Sequence, residues 1–337
     1  MIKFGIMSFA HMHAYSYAAC LSAHANAQLT AIWDGDTKRG RAAAKQFGAK
    51  FIGDQKKFLS TGLDAVIVTS ENVHHRAMTE AAAKAGLWVL CEKPLATTVA
   101  DAQAMIAACE KAGVGLGTAF PCRYVTSMIE VKKQIESGAL GDLYAAACTN
   151  NGKFPGGWFA DPKLSGGGAV MDHTVHVADA LRWLTGKEFT KVYCECGNLM
   201  KRGAKVDDVG SLQLEMEGGI IVSHVASWDR AASFPTWGDV TMQLIGSKGV
   251  IDVDAFNQKL DVYSDAAVRA EWAFWGDNAD MGLIDDFVSA VRDRRAPSVT
   301  GTDGLRAVEV TVAAYKSAKS GKMVAVSALP GYRSSTI

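Results

Sequence analysis

The sequence predicts an α/β protein, with an N-terminal doubly wound parallel sheet and a C-terminal α+β domain whose open sheet is mainly antiparallel. Over residues 1–120, short apolar runs alternate with helical segments of ten or more residues, which is typical of a parallel sheet covered on both faces. Beyond residue 120, several strand-like runs follow one another through short turns, which favours antiparallel pairing. We therefore predict two domains, 1–120 and 121–337.

In the first domain, apolar runs predict strands, and periodic segments predict the helices between them. The strands are expected at IKFGIM, QLTAIWD, DAVIVTS, LWVLCEKP and VGLGTAF. The helices are expected at AYSYAACLSAH, TKRGRAAAKQFG, HHRAMTEAAAKAG and TVADAQAMIAACEKAG, with Gly48 and Gly86 at two of the C-terminal ends. This alternation predicts a Rossmann-type nucleotide-binding domain.

The second domain is expected to begin with the helix SMIEVKKQIESG and to include the helix HTVHVADALRWLTG, which follows the glycine-rich SGGGAV. Its strand-like runs are FTKVYCECGNL, VGSLQLEME, GIIVSHVASW, VTMQLIGS, GVIDVD and KLDVYS. Two further helices are expected at DMGLIDDFVSAVRD and DGLRAVEVTVAAYKSAKSG.

Composition argues against several classes of protein. Lys plus Arg and Asp plus Glu number 35 each, and no block of like charge occurs, so neither a nucleic-acid nor a membrane-surface partner is expected. Neither a signal peptide nor a membrane-spanning segment is expected, because the first apolar run is short and no apolar run is long enough to span a membrane. The seven cysteines include no zinc-type CxxC pair, which favours reduced thiols in a cytoplasmic protein.

The second predicted strand ends in Asp34. An acidic residue at this position of a dinucleotide-binding fold accepts hydrogen bonds from the adenosine ribose and repels a 2′-phosphate. The spacing from the first turn therefore favours NAD over NADP, although Lys38 and Arg39 follow closely and are suited to a phosphate. The alternative is a helix-capping role, which Asp36 would fill equally well.

The fourth predicted strand ends in CEKP, residues 91–94. Side chains at the carboxyl edge of a parallel sheet face the ligand crevice. Lys93 is positioned there to donate to a substrate hydroxyl, and Pro94 restrains it to an extended conformation or to a cis bond. On its own, EKP is also a common surface tripeptide.

The segment GGGAVMDHTVHVAD, residues 166–179, carries the third signal. Asp172 and His176 are four residues apart and share one face of a helix. A carboxylate one turn from a histidine orients the ring and raises its basicity, as a general base requires. A capped, buried helix with a structural histidine is the alternative, and a metal site is not expected because His173 and His176 are only three apart.

Taken in order, CEKPLATT, ESGALGDL, GGGAVMDHTVHVADALRWLTG, IGSKGVIDVD and AAYKSAKSGK resemble the glucose–fructose oxidoreductase, inositol dehydrogenase and rhizopine-catabolism family (Gfo/Idh/MocA) from residue 1 to about 323. The resemblance implies an NAD(P)-dependent dehydrogenase or reductase of sugars, sugar acids or cyclitols. It also implies a homodimer or homotetramer formed through the open sheet, and Lys93, Asp172 and His176 as the catalytic set.

The resemblance and the fold together imply the residues of the two binding sites. Those expected to bind the cofactor are Ser8, Phe9, Ala10, His11, Asp34, Ser70, Asn72, His75, Glu92 and Pro94. Those expected to face the substrate are Arg123, Tyr124, Asn151, Phe154, Trp158, His173 and Trp237, because aromatic faces with a few polar groups suit a sugar ring.

The chain departs from the family pattern in places. Where the family has G-x-G-x-x-G/A after the first strand, this chain has Ser8, Ala10 and His13, and Glu71 and Thr174 replace a usual proline and glycine. Ser8 is expected to cap the helix or to donate its hydroxyl, while backbone amides and the helix dipole hold the phosphates. His11 and His13 form an HxH pair, but we predict no metal site because no carboxylate or thiol is near them in sequence.

The leading hypothesis is therefore reversible hydride transfer between NAD and a secondary alcohol of a sugar or cyclitol. His176 takes the hydroxyl proton, Lys93 stabilises the alkoxide, and Asp172 orients His176 or holds a neighbouring hydroxyl. The altered phosphate turn instead favours a non-catalytic sensor of cofactor or sugar on the same scaffold. The retained set of three catalytic residues favours the enzyme.

Overall fold

A parallel sheet forms the centre of the N-terminal part of this computed structural model. Its strands are β1 (Ile2–Met7), β2 (Ala27–Trp33), β3 (Lys50–Phe51), β4 (Ala65–Val68), β5 (Trp88–Cys91) and β6 (Leu116–Thr118). Their spatial order is β3-β2-β1-β4-β5-β6, and every neighbouring pair is parallel. This is the order of the dinucleotide-binding doubly wound fold, whose ligand crevice lies where the order reverses, between β1 and β4. The predicted Rossmann-type sheet is confirmed.

Helices connect these strands as the apolar periodicity predicts. They are α1 (His13–Ala23), α2 (Thr37–Phe47), α3 (Gln55–Leu59), α4 (His75–Lys84) and α5 (Val99–Ala112), with a 3-10 turn at Asn72–His74. Helix α2 has caps at both ends, because Asp36 accepts the amides of Lys38 and Arg39 and Gly48 closes the helix in the left-handed region. Strand β3 and helix α3 were not predicted, since two and five residues are too short to produce a periodic signal.

The structure describes residues 1–200, 204–266, 268–274, 276 and 278–326. They cluster into two compact units, of which the first contains Met1–Pro121, Lys163–Gly166 and Ala279–Val308. Helix α9 (Ala279–Asp293) packs on the first sheet, with the Phe287 ring centroid 6.2 Å from that of Phe4. The chain thus returns to its first unit after residue 278, and periodicity carries no information about such a return.

The second unit has a seven-stranded sheet with the order β12-β11-β7-β10-β9-β8-β15. Its strands are β7 (Leu143–Asn151), β8 (Phe189–Gly197), β9 (Val209–Met216), β10 (Ile220–Ser227), β11 (Thr241–Gly246), β12 (Val250–Asp254) and β15 (Val324–Ala325). One neighbouring pair, β7 with β10, is parallel, and the others are antiparallel. The predicted, mainly antiparallel sheet is confirmed.

Buried and exposed residues alternate along β9 and β10, so one face of this sheet is covered. Helix α8 (Ala169–Thr185) packs against β7, β9 and β10 on that face. The remaining helices are α6 (Thr126–Glu136), α7 (Pro162–Ser165) and α10 (Gly301–Ser320), and 3-10 turns lie at Pro121–Tyr124 and Gly157–Ala160. Strands β13 (Lys259–Ser264) and β14 (Arg269–Phe274) form a separate hairpin rather than joining the sheet.

Among the described residues, we find no helix whose length and apolar character would let it cross a membrane.

Candidate active site

In the turn after β1, Ser8 has a backbone conformation that usually requires glycine. Ser8 has φ +79°, a left-handed conformation that costs a residue with a side chain on the order of 1 kcal/mol. Hydrogen bonds to the main chain offset this cost: the Ser8 amide donates to Trp33 O (2.7 Å), and Ser8 O accepts from Thr69 Oγ1 (2.7 Å). The predicted cap is wrong, because α1 begins only at His13 and Ser8 Oγ instead accepts from the Ala10 amide (3.1 Å).

Most amides of this turn are engaged within the protein. The Phe9 amide donates to Asp34 Oδ2 (2.8 Å) and the His11 amide to Thr69 O (3.0 Å), in addition to the two bonds of Ser8 and Ala10. The Phe9 ring is buried against Tyr15 and Phe47. We therefore expect a dinucleotide phosphate at this edge to be held by the start of α1 and by side chains more than by the turn amides.

Asp34 is free of the capping role, which Asp36 fills. Its buried carboxylate accepts from the amides of Phe9 (2.8 Å) and Asp36 (2.9 Å). The Arg39 guanidinium binds both of its oxygens, through Nε at 2.8 Å and Nη2 at 2.7 Å, and this carboxylate raises the pKa of Arg39. Asp34 and Arg39 therefore form one rigid, bidentate pair at the end of β2.

The turn after β4 is tied to the segment that follows β5. The buried His75 ring lies between two carbonyl oxygens, with Nδ1 3.0 Å from Pro94 O and Nε2 3.2 Å from Ser70 O. Burial lowers the pKa of His75. Asn72 Nδ2 donates to Ser165 O at 2.9 Å. Ser70, Asn72 and His75 thus hold this edge of the sheet in place.

Glu92 is the centre of a buried polar cluster at the end of β5. Its fully buried carboxylate accepts from the Tyr17 hydroxyl (2.6 Å) and the Lys93 amide (2.9 Å), and Oε1 lies 2.9 Å from His13 Nδ1. Burial opposes ionisation of Glu92, but the charges of His11 and His13 outweigh it and lower the pKa. Burial and Glu92 together raise the pKa of Tyr17. Sequence reasoning missed this cluster, because Glu92 and His13 are 79 residues apart.

Lys93 follows Glu92 at the carboxyl edge of the sheet and is 5% exposed. The Lys93–Pro94 peptide bond is cis, as one of the two sequence-based alternatives predicted. The position of Lys93, just after β5, is at the edge where a doubly wound sheet binds its ligand.

In the second unit, α8 carries Asp172 and His176, and its N-terminus is tightly capped. Asp207 accepts from the amides of Gly168 (3.1 Å) and Val170 (2.8 Å), and the Tyr315 hydroxyl donates to Asp207 Oδ1 (2.7 Å). A side chain at Gly168 would overlap the Asp207 backbone, so glycine allows the start of α8 to approach that backbone closely. Asp207 and Tyr315 therefore position α8; nothing in the sequence near residue 172 signals either of them.

Asp172 contacts a neighbour that the helical spacing did not suggest. Its Oδ2 accepts from Trp228 Nε1 at 3.1 Å and lies 3.3 Å from His173 Nε2. Nδ1 of His173 lies 2.8 Å from Asn150 O, which only accepts, so Nδ1 carries a proton. The predicted pairing of Asp172 with His176 stays a prediction, as does the role of the buried His176.

Two polar residues assigned to the substrate already bind protein groups. Arg123 forms a buried bidentate pair with Asp179 of α8, through Nε at 2.8 Å and Nη2 at 2.5 Å. Asn151 Oδ1 accepts from Ser227 Oγ at 2.6 Å, and its amide donates to Asp239 Oδ1 at 3.1 Å. Both therefore fix the shape of the second unit around α8.

The predicted aromatic residues fall into two groups. Trp158 stacks on Phe159 with ring centroids 3.8 Å apart, and both belong with Phe154 to a cluster around the buried Trp228. Trp237 is 45% exposed, and its ring centroid lies 6.4 Å from that of His173. Tyr124 is half-buried at the end of a 3-10 turn. Trp237 is therefore the aromatic residue beside the Asp172–His173 pair that retains the most surface for a ligand.

Both units match models of known protein families. Residues 2–120 match a model described as an oxidoreductase family with an NAD-binding Rossmann fold, and residues 128–252 match the GFO/IDH/MocA C-terminal domain. The chain is 26% identical to the D-apiose dehydrogenase of Paraburkholderia graminis, over 98% of this chain and 89% of that protein. It is 29% identical to the myo-inositol 2-dehydrogenase of Thermotoga maritima, over 89% of this chain and 91% of that protein.

A solved structure extends the similarity to the fold. The aldose-aldose oxidoreductase from Caulobacter crescentus, complexed with glycerol, superposes with a TM-score of 0.82 at 26% identity. The alignment covers 96% of this chain and 99% of that one.

Proposed function

The chain belongs to the GFO/IDH/MocA family of oxidoreductases, and we propose that it transfers a hydride between NAD and a secondary alcohol or ketone of a sugar, sugar derivative or cyclitol. The observation that carries this proposal is a buried lysine, Lys93, at the carboxyl edge of a dinucleotide-type parallel sheet. The dehydrogenases of D-apiose and myo-inositol among its relatives support this class of substrate.

The residues of the first unit fit a dinucleotide. The strand order creates the crevice between β1 and β4, and α1 starts directly beyond it, which suits an anionic phosphate group. Asp34 presents a fixed carboxylate at the end of β2, where an adenosine ribose is bound in such folds. Ser70, Asn72, His75 and Pro94 are proposed to shape the same crevice.

We propose that Lys93, Asp172 and His176 carry the proton chemistry of the reaction. When bound, the nicotinamide supplies or accepts the hydride. His176 takes the proton of the reacting hydroxyl, and the Lys93 ammonium stabilises the developing alkoxide. Asp172, held through Oδ2 by Trp228 and His173, holds a neighbouring hydroxyl or orients His176. Trp237 and Tyr124 offer aromatic surface to the sugar ring.

The pair of Asp34 and Arg39 is proposed to select NAD over NADP. Replacing Asp34 with alanine removes the carboxylate that repels a 2′-phosphate and releases Arg39 to bind one. We expect the ratio of NADP affinity to NAD affinity to rise at least about tenfold, a change of about 1.4 kcal/mol. Tryptophan fluorescence titrated with each dinucleotide measures the ratio. The control is Asp36→Ala, which removes the nearby carboxylate that caps α2. An equal change of the affinity ratio in both variants contradicts the proposed role of Asp34 and Arg39.

An absorbance assay tests the proposed reaction. The enzyme is mixed with NAD, and separately with NADP, and with a panel of cyclitols, aldoses and sugar acids, while reduced nicotinamide is followed at 340 nm. We expect reduction of NAD with at least one member of the panel. Binding of NAD without turnover on any member, in either direction, would favour the non-catalytic sensor.

We propose that the chain forms a homodimer or homotetramer through the outer face of the second sheet. The exposed residues on this face include Ile221, Val225 and Ile245. Ile221 of β10 and Ile245 of β11 each pair with Ala145 of β7, the strand that lies between them. Light scattering is expected to give a mass of two or four chains, and Ile221→Lys to reduce it. Ile129→Lys on α6, a similarly exposed isoleucine, is the control. A monomeric wild type would contradict the proposal.

A cytoplasmic location is proposed as well. It is supported by the seven cysteines, each of which is a free thiol, six of them buried.

A further inference from the structure

Three potential metal ligands meet at the start of α1, where the HxH pair alone predicted no metal site. One donor atom from each of His11, His13 and Glu92 lies within 4.8 Å of the other two. His11 is 2% exposed and Glu92 is fully buried, while His13 opens to the surface. We propose that these three side chains bind a divalent transition-metal ion in the first unit.

The backbone brings the two imidazoles together. His11 and His13 flank one residue in the turn that leads into α1, and their ring centroids are 4.3 Å apart. Glu92 comes from the end of β5, which is a separate element of the sheet. The site is therefore assembled by the fold and not by a local sequence motif, which explains why HxH alone failed to predict it.

The spacing of the donor atoms suits a small ion. Two ligands at about 2.0–2.2 Å from a tetrahedral ion lie roughly 3.3–3.6 Å apart. His13 Nδ1 and Glu92 Oε1 are 2.9 Å apart, and no pair of donor atoms in the set exceeds 4.8 Å. Movements of the donor atoms by a few tenths of an ångström to about 1 Å therefore bring them to the distances that a tetrahedral ion requires. Rotation of the two histidine side chains provides such movements.

The carboxylate is already oriented by other groups. The Tyr17 hydroxyl donates to Oε1 and the Lys93 amide to Oε2, which is how residues around a metal centre fix a ligating carboxylate. Ligation exchanges the hydrogen bond between His13 and Glu92 for bonds to the ion.

The donor set selects the kind of ion. Two imidazoles and one carboxylate, with positions open to water or a substrate oxygen, suit Zn²⁺, Co²⁺, Ni²⁺ or Fe²⁺. The charge of Lys93 acts on the same carboxylate and opposes a second cation. The donor set and this charge favour an ion that binds strongly to imidazole nitrogen. Mg²⁺ and Ca²⁺ are disfavoured because they need several oxygen ligands.

The test needs neither dinucleotide nor substrate, so its result is independent of the proposed reaction. The full chain is treated with EDTA, dialysed, and titrated with Zn²⁺ by calorimetry, and then with Co²⁺ while visible absorption is recorded. We expect one ion per chain, with a Co²⁺ spectrum of a site containing nitrogen and oxygen ligands.

Three variants connect the ion to the site. His11→Ala, His13→Ala and Glu92→Gln are each expected to weaken Zn²⁺ binding at least tenfold, whereas His74→Ala, at an exposed histidine outside the cluster, leaves it unchanged. Circular dichroism and the melting temperature establish that each variant is folded; because the His13 side chain is partly exposed, His13→Ala keeps the test decisive if Glu92→Gln unfolds. Absence of stoichiometric binding, or binding unaffected by the loss of His11 and His13, overturns the proposal.

Discussion

Replacing Lys93 with methionine is expected to lower the turnover number at saturating NAD and substrate by at least about 100-fold. Methionine keeps most of the length and the apolar stem of the side chain but has no ammonium group to stabilise an alkoxide. The Lys93 amide, which binds Glu92, is retained. The loss of turnover therefore reports the contribution of the ammonium charge and not that of the hydrogen bonds around Glu92.

The matched control for this variant is Lys84→Met, which removes an exposed lysine from α4 of the same unit. Steady-state turnover is measured for both variants, and NAD affinity is measured by tryptophan fluorescence. We expect both to bind NAD like the wild type, while only Lys93→Met loses turnover. Turnover within about threefold of the wild type in Lys93→Met would remove this residue from the catalytic set.

Replacing His176 with glutamine is expected to have the second large effect, again a loss of turnover of about 100-fold or more. Glutamine keeps a polar group in the buried position on α8 but cannot accept a proton at neutral pH. In a plot of kcat/KM against pH, the fall at acidic pH is expected to flatten in the variant, because the variant lacks the base whose protonation produces that fall.

His173→Gln provides the comparison on the same helix. His173 contacts Asp172 and the Asn150 carbonyl oxygen, so its loss is expected to disturb the position of Asp172 and to cost turnover about tenfold. If His173→Gln is instead the more damaging variant and also flattens the pH profile, the general base is His173 and not His176.

The features that were predicted correctly depend on local signals. Apolar periodicity placed the principal helices of both units, and strand composition placed the parallel and mainly antiparallel sheets. The choice between Asp34 and Asp36 as the cap was open in the sequence. The structure settles it, because the Asp36 carboxylate accepts two amides of α2 and Asp34 pairs with Arg39.

The features that were missed depend on contacts between distant segments. Glu92 meets His13 and Tyr17 across more than 70 residues, and Asp207 and Tyr315 cap a helix that begins at Ala169. Helical spacing suggested a partner for Asp172 one turn away. The contacts that hold its Oδ2 come from the adjacent His173 and from Trp228 at the end of β10.

The turn around Ser8 explains how a Rossmann-type sheet keeps its first turn without glycine. Ser8 adopts the left-handed conformation that the position requires; Trp33 and Thr69 from two neighbouring segments bind its backbone, and the Ala10 amide of the same turn binds its hydroxyl. Because the turn amides are largely engaged, we expect the start of α1 to be the main-chain group that binds an anionic ligand.

The most direct measurement of the central proposal follows the hydride itself. The wild-type enzyme is incubated with NAD and a pool of cyclitols and sugars deuterated on carbon, and the dinucleotide is then recovered for mass spectrometry and NMR. We predict reduced dinucleotide that carries one deuterium at C4 of the nicotinamide, and at least about 100-fold less of it with Lys93→Met. Recovery of NAD without any deuterium, from an enzyme that binds NAD and the pool, would contradict hydride transfer as the function of this chain.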